Sequence, residues 1–246
     1  MSVLQWLLAP EHWSGENGIP VRLLQHVELS AVGVTLGILI AIPIGAVVGH
    51  TRRGAGVAVS IANLGRAIPS FAVLVLVFIV MLHWWPGLAF GFVPTVAALT
   101  LLAIPPILTN TYVAVRGVDD DTVEAVRGMG MHGMQIFSRL ELPLAAPVIM
   151  TGVRIAAVQV VATATLAALI AGGGLGRYIV DGFSQGDRTM TTAGAVLVAL
   201  LAITTELILG VAARLSTPRT ASGGKEPAME TAMKTAGASV RISGRW

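Results

Sequence analysis

The chain of 246 residues is 54% hydrophobic and only 12% charged; soluble domains carry about 25% charged residues, so an integral membrane protein is expected. Its formal net charge is +3 with 5% aromatic residues and no interleaving of basic and aromatic side chains, which argues against nucleic-acid binding. It has no cysteine, which excludes a disulfide framework, thiol chemistry and a cysteine-based metal site.

The opening stretch MSVLQWLLAPEHW lacks a basic n-region and its apolar run ends at Pro10, so it does not read as a signal peptide. Val3, Leu4, Trp6, Leu7 and Leu8 suit a membrane interface or a loosely packed lead-in. Residues 1–28 are therefore assigned to an external or interfacial segment.

A crossing helix needs about 20 mostly apolar residues. The first such run is Leu29–Gly49, uncharged between its ends, with Gly33, Gly37, Gly45 and Gly49 allowing close helix contact and Pro43 a kink. It stops at His50-Thr51-Arg52-Arg53. The second is Val57–Leu82, interrupted by Arg66 and Pro69. It reads either as a helix broken near Gly65–Ser70 or as a short interfacial segment before a span from Ile68. His83-Trp84-Trp85-Pro86-Gly87 follows, and its tryptophans suit a headgroup belt. The third is Phe92–Val115, where Pro105-Pro106 breaks regular hydrogen bonding and Asn110 adds a polar group.

A polar island, Arg116–Pro143, comes next. The fourth run, Pro147–Ala171, carries Arg154, Gln159, Thr163 and Thr165 and leads into the turn Gly172-Gly173-Gly174-Leu175-Gly176. The fifth is Thr191–Ala213, with Glu206 near its end. Residues 214–246 have too little apolar periodicity to fold and are expected to form a disordered tail.

Lys and Arg set the orientation. Arg22 alone precedes the first run, Arg52 and Arg53 follow it, and the Trp-Trp loop has none. The island holds Arg116, Arg127 and Arg139, the Gly-rich loop Arg177 and Arg188, and the tail six more basic residues. The alternation fits an all-α polytopic membrane protein of about five transmembrane helices, N-terminus outside and C-terminus inside. Residues 29–213 are then the membrane domain, and the island and tail are cytoplasmic.

The island carries eight charged residues: Arg116, Asp119, Asp120, Asp121, Glu124, Arg127, Arg139 and Glu141. The three aspartates suit an N-cap and first turn. Val123, Val126 and Met129 predict a short amphipathic helix, which Gly128, Gly130 and Gly133 end and leave bare on its far side. Ile136, Phe137 and Leu140 give a second short apolar face, and Leu142-Pro143 is expected to stop it before Pro147 opens the next span. Two short exposed helices on such a loop suit a plug for a partner's socket. Catalytic constellations are missing. Gly223-Gly224-Lys225 is followed by Glu226, not Ser or Thr, so it is no phosphate loop. His12, His26, His50, His83 and His132 share no ligand spacing, so no metal site is expected.

Glu124-Ala125-Val126, Gly130 and Leu140-Glu141-Leu142-Pro143 resemble the E-A-A-x3-G-x9-I-x-L-P signature of bacterial binding-protein-dependent ABC importer permeases. Val126 and Leu140 depart mildly from it. The resemblance implies coupling helices that insert into a separate ATPase subunit, with Glu124, Ala125, Val126, Gly130, Leu140, Leu142 and Pro143 making or shaping that contact. Arg66–Ser70, Ile104–Tyr112, Gly117–Asp119, Arg127–Met131 and Thr163–Gly176 are similar to the osmoprotectant branch, which carries glycine betaine, choline, carnitine and related quaternary amines.

The resemblance further implies a second permease chain, identical or different, a separate external substrate-binding protein, and ATP bound on the partner rather than on this chain. The bacterial inner membrane is the expected location. The pathway is expected along the third and fourth spans and the Pro69 region. Pro69, Ser70, Pro105, Pro106 and Asn110 are its hinge or lining candidates, with Thr163, Thr165, Gly172, Gly173, Gly174 and Gly176. Arg66, Arg154 and Glu206 are expected to be snorkelling or paired anchors. A permease for methionine or another amino acid, and a secondary transporter needing no ATPase, are the alternatives. The latter is disfavoured because no repeat is evident and Glu206 is the one acid within a span.

Overall fold

The structure, a computed structural model, describes residues 2–52, 56, 60, 63, 65 and 67–216. All regular structure among them is helical: α1 (Val3–Leu8), α2 (Ile19–Thr51), α3 (Ser70–Trp84), α4 (Phe92–Arg116), α5 (Asp120–Gly128), α6 (Gly133–Ile136), α7 (Leu142–Thr163), α8 (Gly176–Gln185) and α9 (Arg188–Ser216). Short 3-10 turns cover Pro10–Trp13, Pro86–Leu88 and Ala164–Ile170, and a π turn covers Phe137–Glu141. Residues 2–213 belong to one compact unit. Arg66 and the expected tail beyond Ser216 lie outside the described residues.

Among the described residues, four stretches are long and apolar enough to cross a membrane: Ile19–Thr51, Phe92–Arg116, Gly133–Ile170 and Arg188–Ala213. The fifth, α3, has 15 residues, short of the roughly 20 that a crossing takes. The break expected between Gly65 and Ser70 falls at Ile68–Pro69, where the chain leaves helical geometry and Pro69 takes the N-cap of α3. The first long apolar helix, α2, begins at Ile19, ten residues ahead of the expected Leu29, because Pro20 tolerates a first turn and Gly18 caps it.

Small residues at four-residue spacing pack α2 on α4. Gly33, Gly37, Ala41, Gly45 and Gly49 are all buried. A Cβ on Gly33 would come 2.8 Å from Leu99, and one on Gly49 would come 2.8 Å from Val115. Without side chains between them the backbones approach closely, which is how helices gain contact where lipid gives no hydrophobic drive. α7 completes this core. Leu29, Ala103, Ile107, Val153, Ala156 and Val160 form its centre, and Gly152 lies against Asn110 and Pro106 of α4. A second cluster joins Trp6 of α1, Leu175 and Tyr178 beside and within α8, and Ala193 and Val198 of α9. The outer faces of α3 and α9 are apolar and exposed, as at Ile79, Leu200, Ile203 and Leu207.

Helix ends sort into two groups. At one end lie the start of α2, the end of α7 and the glycine turn, joined through His26 and Val161, with the Gly91 N–H bonded to Ile170 at 2.8 Å. At the other lie the end of α2, α5 and the π turn, joined by Arg52 to Asp120 and His50 to Glu141. These are called the turn end and the island end.

Candidate functional site

The island folds into two unequal pieces. α5 starts where Asp119 caps it, its Oδ1 accepting the Thr122 N–H at 2.9 Å, with Asp120 and Asp121 in the first turn and Arg127 in the last. This is the arrangement that complements a helix dipole. Val123 turns inward and is buried, while Glu124, Ala125, Arg127, Gly128 and Met129 face outward and exposed. The helix closes with the Met129 N–H on the Ala125 carbonyl at 3.1 Å. Gly130 follows at φ +90°, and nothing lies within 4 Å of where its Cβ would stand. The left-handed backbone needs glycine, and the same glycine keeps that face bare.

The second piece is no free plug. The His132 N–H donates to Gln135 Oε1 at 2.9 Å and opens α6. α6 continues through the π turn, where the Leu142 N–H bonds the Phe137 carbonyl, into α7. Leu142-Pro143 therefore does not stop the segment, contrary to expectation, and Pro147 lies inside α7 rather than at its start. A π turn widens the helix by one residue, which gives the Pro143 ring room just where its missing N–H needs no partner. The Ile136 face points into the bundle: Ile136 is 1% exposed, and Phe137 and Leu142 pack on Ala46, Val115, Ala145 and Ile149. Of the seven signature residues, Glu124, Ala125, Gly130 and Pro143 are exposed, whereas Val126, Leu140 and Leu142 are half-buried.

Two ties escaped the sequence reading. His50 Nδ1 lies 2.6 Å from Oε2 of the buried Glu141, and the His50 ring sits 5.1 Å from that of Phe137. Arg52, the residue after α2, pairs with Asp120, whose carboxylate also lies 4.0 Å from Arg116. The partners are 91 and 68 residues apart. Charge complementarity between the basic stop and the acidic island was the only signal.

The pathway candidates divide in two. Pro105 and Pro106 are buried in α4, which stays helical through both, although the carbonyls of Leu101 and Leu102 lose their usual donors. The Asn110 amide donates to the Pro106 carbonyl at 2.8 Å. Pro105 borders a groove of about 490 Å³ with Gly65, Ile68, Val73, Leu101 and Ile104. Pro69 and Ser70 stand at the head of α3 beside it.

The other group is at the turn end. The Thr163 and Thr165 hydroxyls donate to the carbonyls of Gln159 and Ala162 at 2.7 and 2.9 Å. Gly173 and Gly174 both have φ +77°. The Gly174 N–H donates to Gln25 Oε1 at 3.0 Å, and the Leu175 N–H donates to His26 Nδ1 at 3.3 Å. Nε2 of His26 then carries the proton toward the Val161 carbonyl, 2.9 Å away. Gly172 abuts Thr95, ten residues before Pro105, so about 15 Å of helix separates the two groups.

Arg154 of α7 pairs with Glu206 of α9, as anchors inside apolar helices are expected to do. At the turn end the Tyr178 hydroxyl donates to the Asn17 carbonyl at 2.6 Å. Burial raises its pKa above the ordinary phenol value, and Arg22 nearby partly offsets this. Among the described residues no cluster of His, Asp and Glu could hold a metal ion.

Residues 33–222 match the family model described as "Binding-protein-dependent transport system inner membrane component". The chain is 41% identical over 80% of its length to the choline transport system permease protein OpuBB of Bacillus subtilis, covering 88% of that protein. It is 38% identical over 82% of its length to the glycine betaine/carnitine/choline transport system permease protein OpuCB of the same organism, covering 90% of it. The osmoprotectant import permease protein OsmW of Salmonella typhimurium is 36% identical over 75% of the chain and 85% of its own length. Among solved structures, an inward-facing methionine ABC transporter, MetNI, superposes with TM-score 0.70 at 24% identity, over 81% of this chain and 96% of that one; this likeness carries the fold alone. Such permeases are multi-pass inner-membrane subunits that work with a separate ATPase and a substrate-binding protein, and ATP hydrolysis resides on the ATPase. The chain belongs to the family of binding-protein-dependent transport system inner membrane components.

Proposed function

We propose that this permease carries quaternary-amine osmoprotectants such as choline, glycine betaine, carnitine and proline betaine into the cell. The observation that carries the reading is similarity over about four-fifths of the chain to OpuBB and OpuCB, whose names give choline, glycine betaine and carnitine. On this reading the island end is cytoplasmic and the N-terminus external, as the Lys and Arg distribution requires. The exposed face around Glu124, Ala125 and Gly130, with Pro143, docks the ATPase. Val126, Leu140 and Leu142 support that face from beneath. A second permease chain, the same or different, completes the pathway.

Alternating access then follows from the two groups of candidates. Movement at the docked face tilts α7 and α4. The tilt is taken up where Pro105-Pro106 weaken backbone bonding and where four glycines leave the Gly172–Gly176 turn almost without side chains. Cations of this class are held best by aromatic faces. Trp6 and Tyr178 already pack on each other, with ring centroids 5.3 Å apart. Selection is therefore left to a separate receptor outside the membrane.

Reconstitution in liposomes with the cognate ATPase and receptor tests this reading. ATP-dependent uptake of labelled choline and glycine betaine is expected, with labelled methionine excluded. Methionine uptake without choline or betaine uptake overturns the substrate assignment. Uptake that needs no ATPase overturns the mechanism.

A further inference from the structure

We propose that α2 is a transmission rod, clasped at one end to the coupling segment by His50 and Arg52 and at the other to the glycine turn by Gln25 and His26. The inference rests on the reading of α5 and the π turn as the ATPase-facing segment. His50, Arg52, Gln25 and His26 are then positioning residues, which touch neither substrate nor nucleotide.

The island clasp has two independent jaws. One grips α5, through Arg52 and Asp120 in its first turn. The other grips the π turn, through His50 and Glu141. Glu141 is 7% exposed, and a carboxylate so buried is held in place by its partner rather than by water. Arg52 stands at φ +58°, a left-handed position where glycine is the easy choice. An arginine there carries a backbone cost, and from it the side chain reaches Asp120. Both arms of the island thus converge on residues 50 and 52 of one helix end. A displacement of either arm is imposed on α2.

The turn clasp is equally direct. Gln25 accepts the Gly174 N–H while its Oε1 also accepts from Arg22 at 3.0 Å. Both ring nitrogens of the fully buried His26 are engaged, one by the Leu175 N–H and one by the Val161 carbonyl. The bonds from Gln25 and His26 reach the turn's backbone at Gly174 and Leu175. Between the clasps α2 stays helical through Pro43, whose missing N–H leaves the Leu39 carbonyl without its usual donor, and from His26 to His50 it spans about 36 Å at 1.5 Å per residue. Its middle packs in register on α4 through the buried small residues Gly33, Gly37, Ala41 and Gly45.

The test uses the complete transporter in liposomes, with choline and glycine betaine as probes, and the variants His50→Leu, Glu141→Gln and His50→Lys. His50→Leu and Glu141→Gln are expected to raise ATP hydrolysed per choline imported at least fivefold in fully assembled complexes. His50→Lys, which gives Glu141 a hydrogen-bond donor again, is expected to return the ratio to within twofold of wild type. An unchanged ratio in the first two variants overturns the proposal, and so does a ratio for His50→Lys no better than for His50→Leu.

A second measurement is independent of transport. The chain lacks cysteine, so spin labels placed on Thr51 and Ser138 report the clasp in the permease alone. A narrow distance distribution is expected in wild type and a broad one in Glu141→Gln. Identical distributions overturn the clasp. Failure of the wild type to import either probe sinks the substrate reading while leaving this readout intact.

Discussion

Gly37 of α2 faces Ala103 of α4 so closely that a Cβ on the glycine would come 2.7 Å from the alanine Cβ. The same offset relates Gly33 to Leu99, Gly45 to Thr111 and Gly49 to Val115. The two helices therefore run parallel and in register, with one small residue per contact along the seam. The expected outcome for Gly37→Leu is separation of α2 from α4, since overpacking a tight core costs about 1–3 kcal/mol. Thermal unfolding in detergent should show a clear loss of midpoint. Leu39→Ile, on the exposed face, should show none.

Gly130 separates docking from folding. Its φ of +90° makes Gly130→Ala strained despite the open space around it, at a cost of about 1–2 kcal/mol for a left-handed L-residue. Gly130→Arg adds a long cation to the bare face. It should lower the ATPase that co-purifies with the permease at least tenfold, with the inserted permease falling much less. Equal loss of ATPase in the alanine and arginine variants would point to the backbone rather than the surface.

Sequence made the long apolar helices and the first island helix legible because both rest on local signals. Apolar runs of fixed length gave the helices, and Asp119 and Gly130 bracketed α5 through capping and a left-handed turn. The second island helix was misread for a local reason too. Pro143 has the form of a stop, and nothing in the neighbouring residues announces the π turn that accommodates it. Ile136 and Phe137 had the pattern of a docking face, yet the side that such a pattern faces is decided by Ala46, Val115 and Ile149 on other helices. The ties of His50 to Glu141 and of His26 to Leu175 are long-range in the same sense. A histidine at the end of one helix and a glutamate in another segment carry no shared period.

Arg154 and Glu206 form a pair that crosses from α7 to α9 within apolar helices. Each side chain is about two-fifths exposed, at 39% and 40%, so the pair offsets the cost of charge in a hydrocarbon setting rather than fixing a buried core. Arg154→Leu alone leaves the Glu206 carboxylate uncompensated, and Glu206→Leu alone leaves the guanidinium so. The double variant leaves neither. Melting in detergent should therefore place the double variant nearer to wild type than either single variant. Additive losses would show that the two charges do not act as a unit.

Tyr178 gives the turn end an alkaline limit. Its hydroxyl donates to the Asn17 carbonyl and its ring packs edge-on against Trp6. Burial favours the neutral phenol and raises its pKa, with Arg22 opposing in part. An unfolded tyrosine titrates near 10, so above about pH 10 the unfolded chain gives up this proton while the folded one keeps it. Stability from this group is fully present below that pH and is lost as pH rises through the folded pKa. Tyr178→Phe removes the titration and also leaves the Asn17 carbonyl without its donor, at a cost of about 1–3 kcal/mol. Unfolding midpoints measured from pH 8 to 11 should therefore start lower in the variant and fall less steeply above pH 10. Parallel alkaline slopes in the two proteins would assign the alkaline loss to other groups.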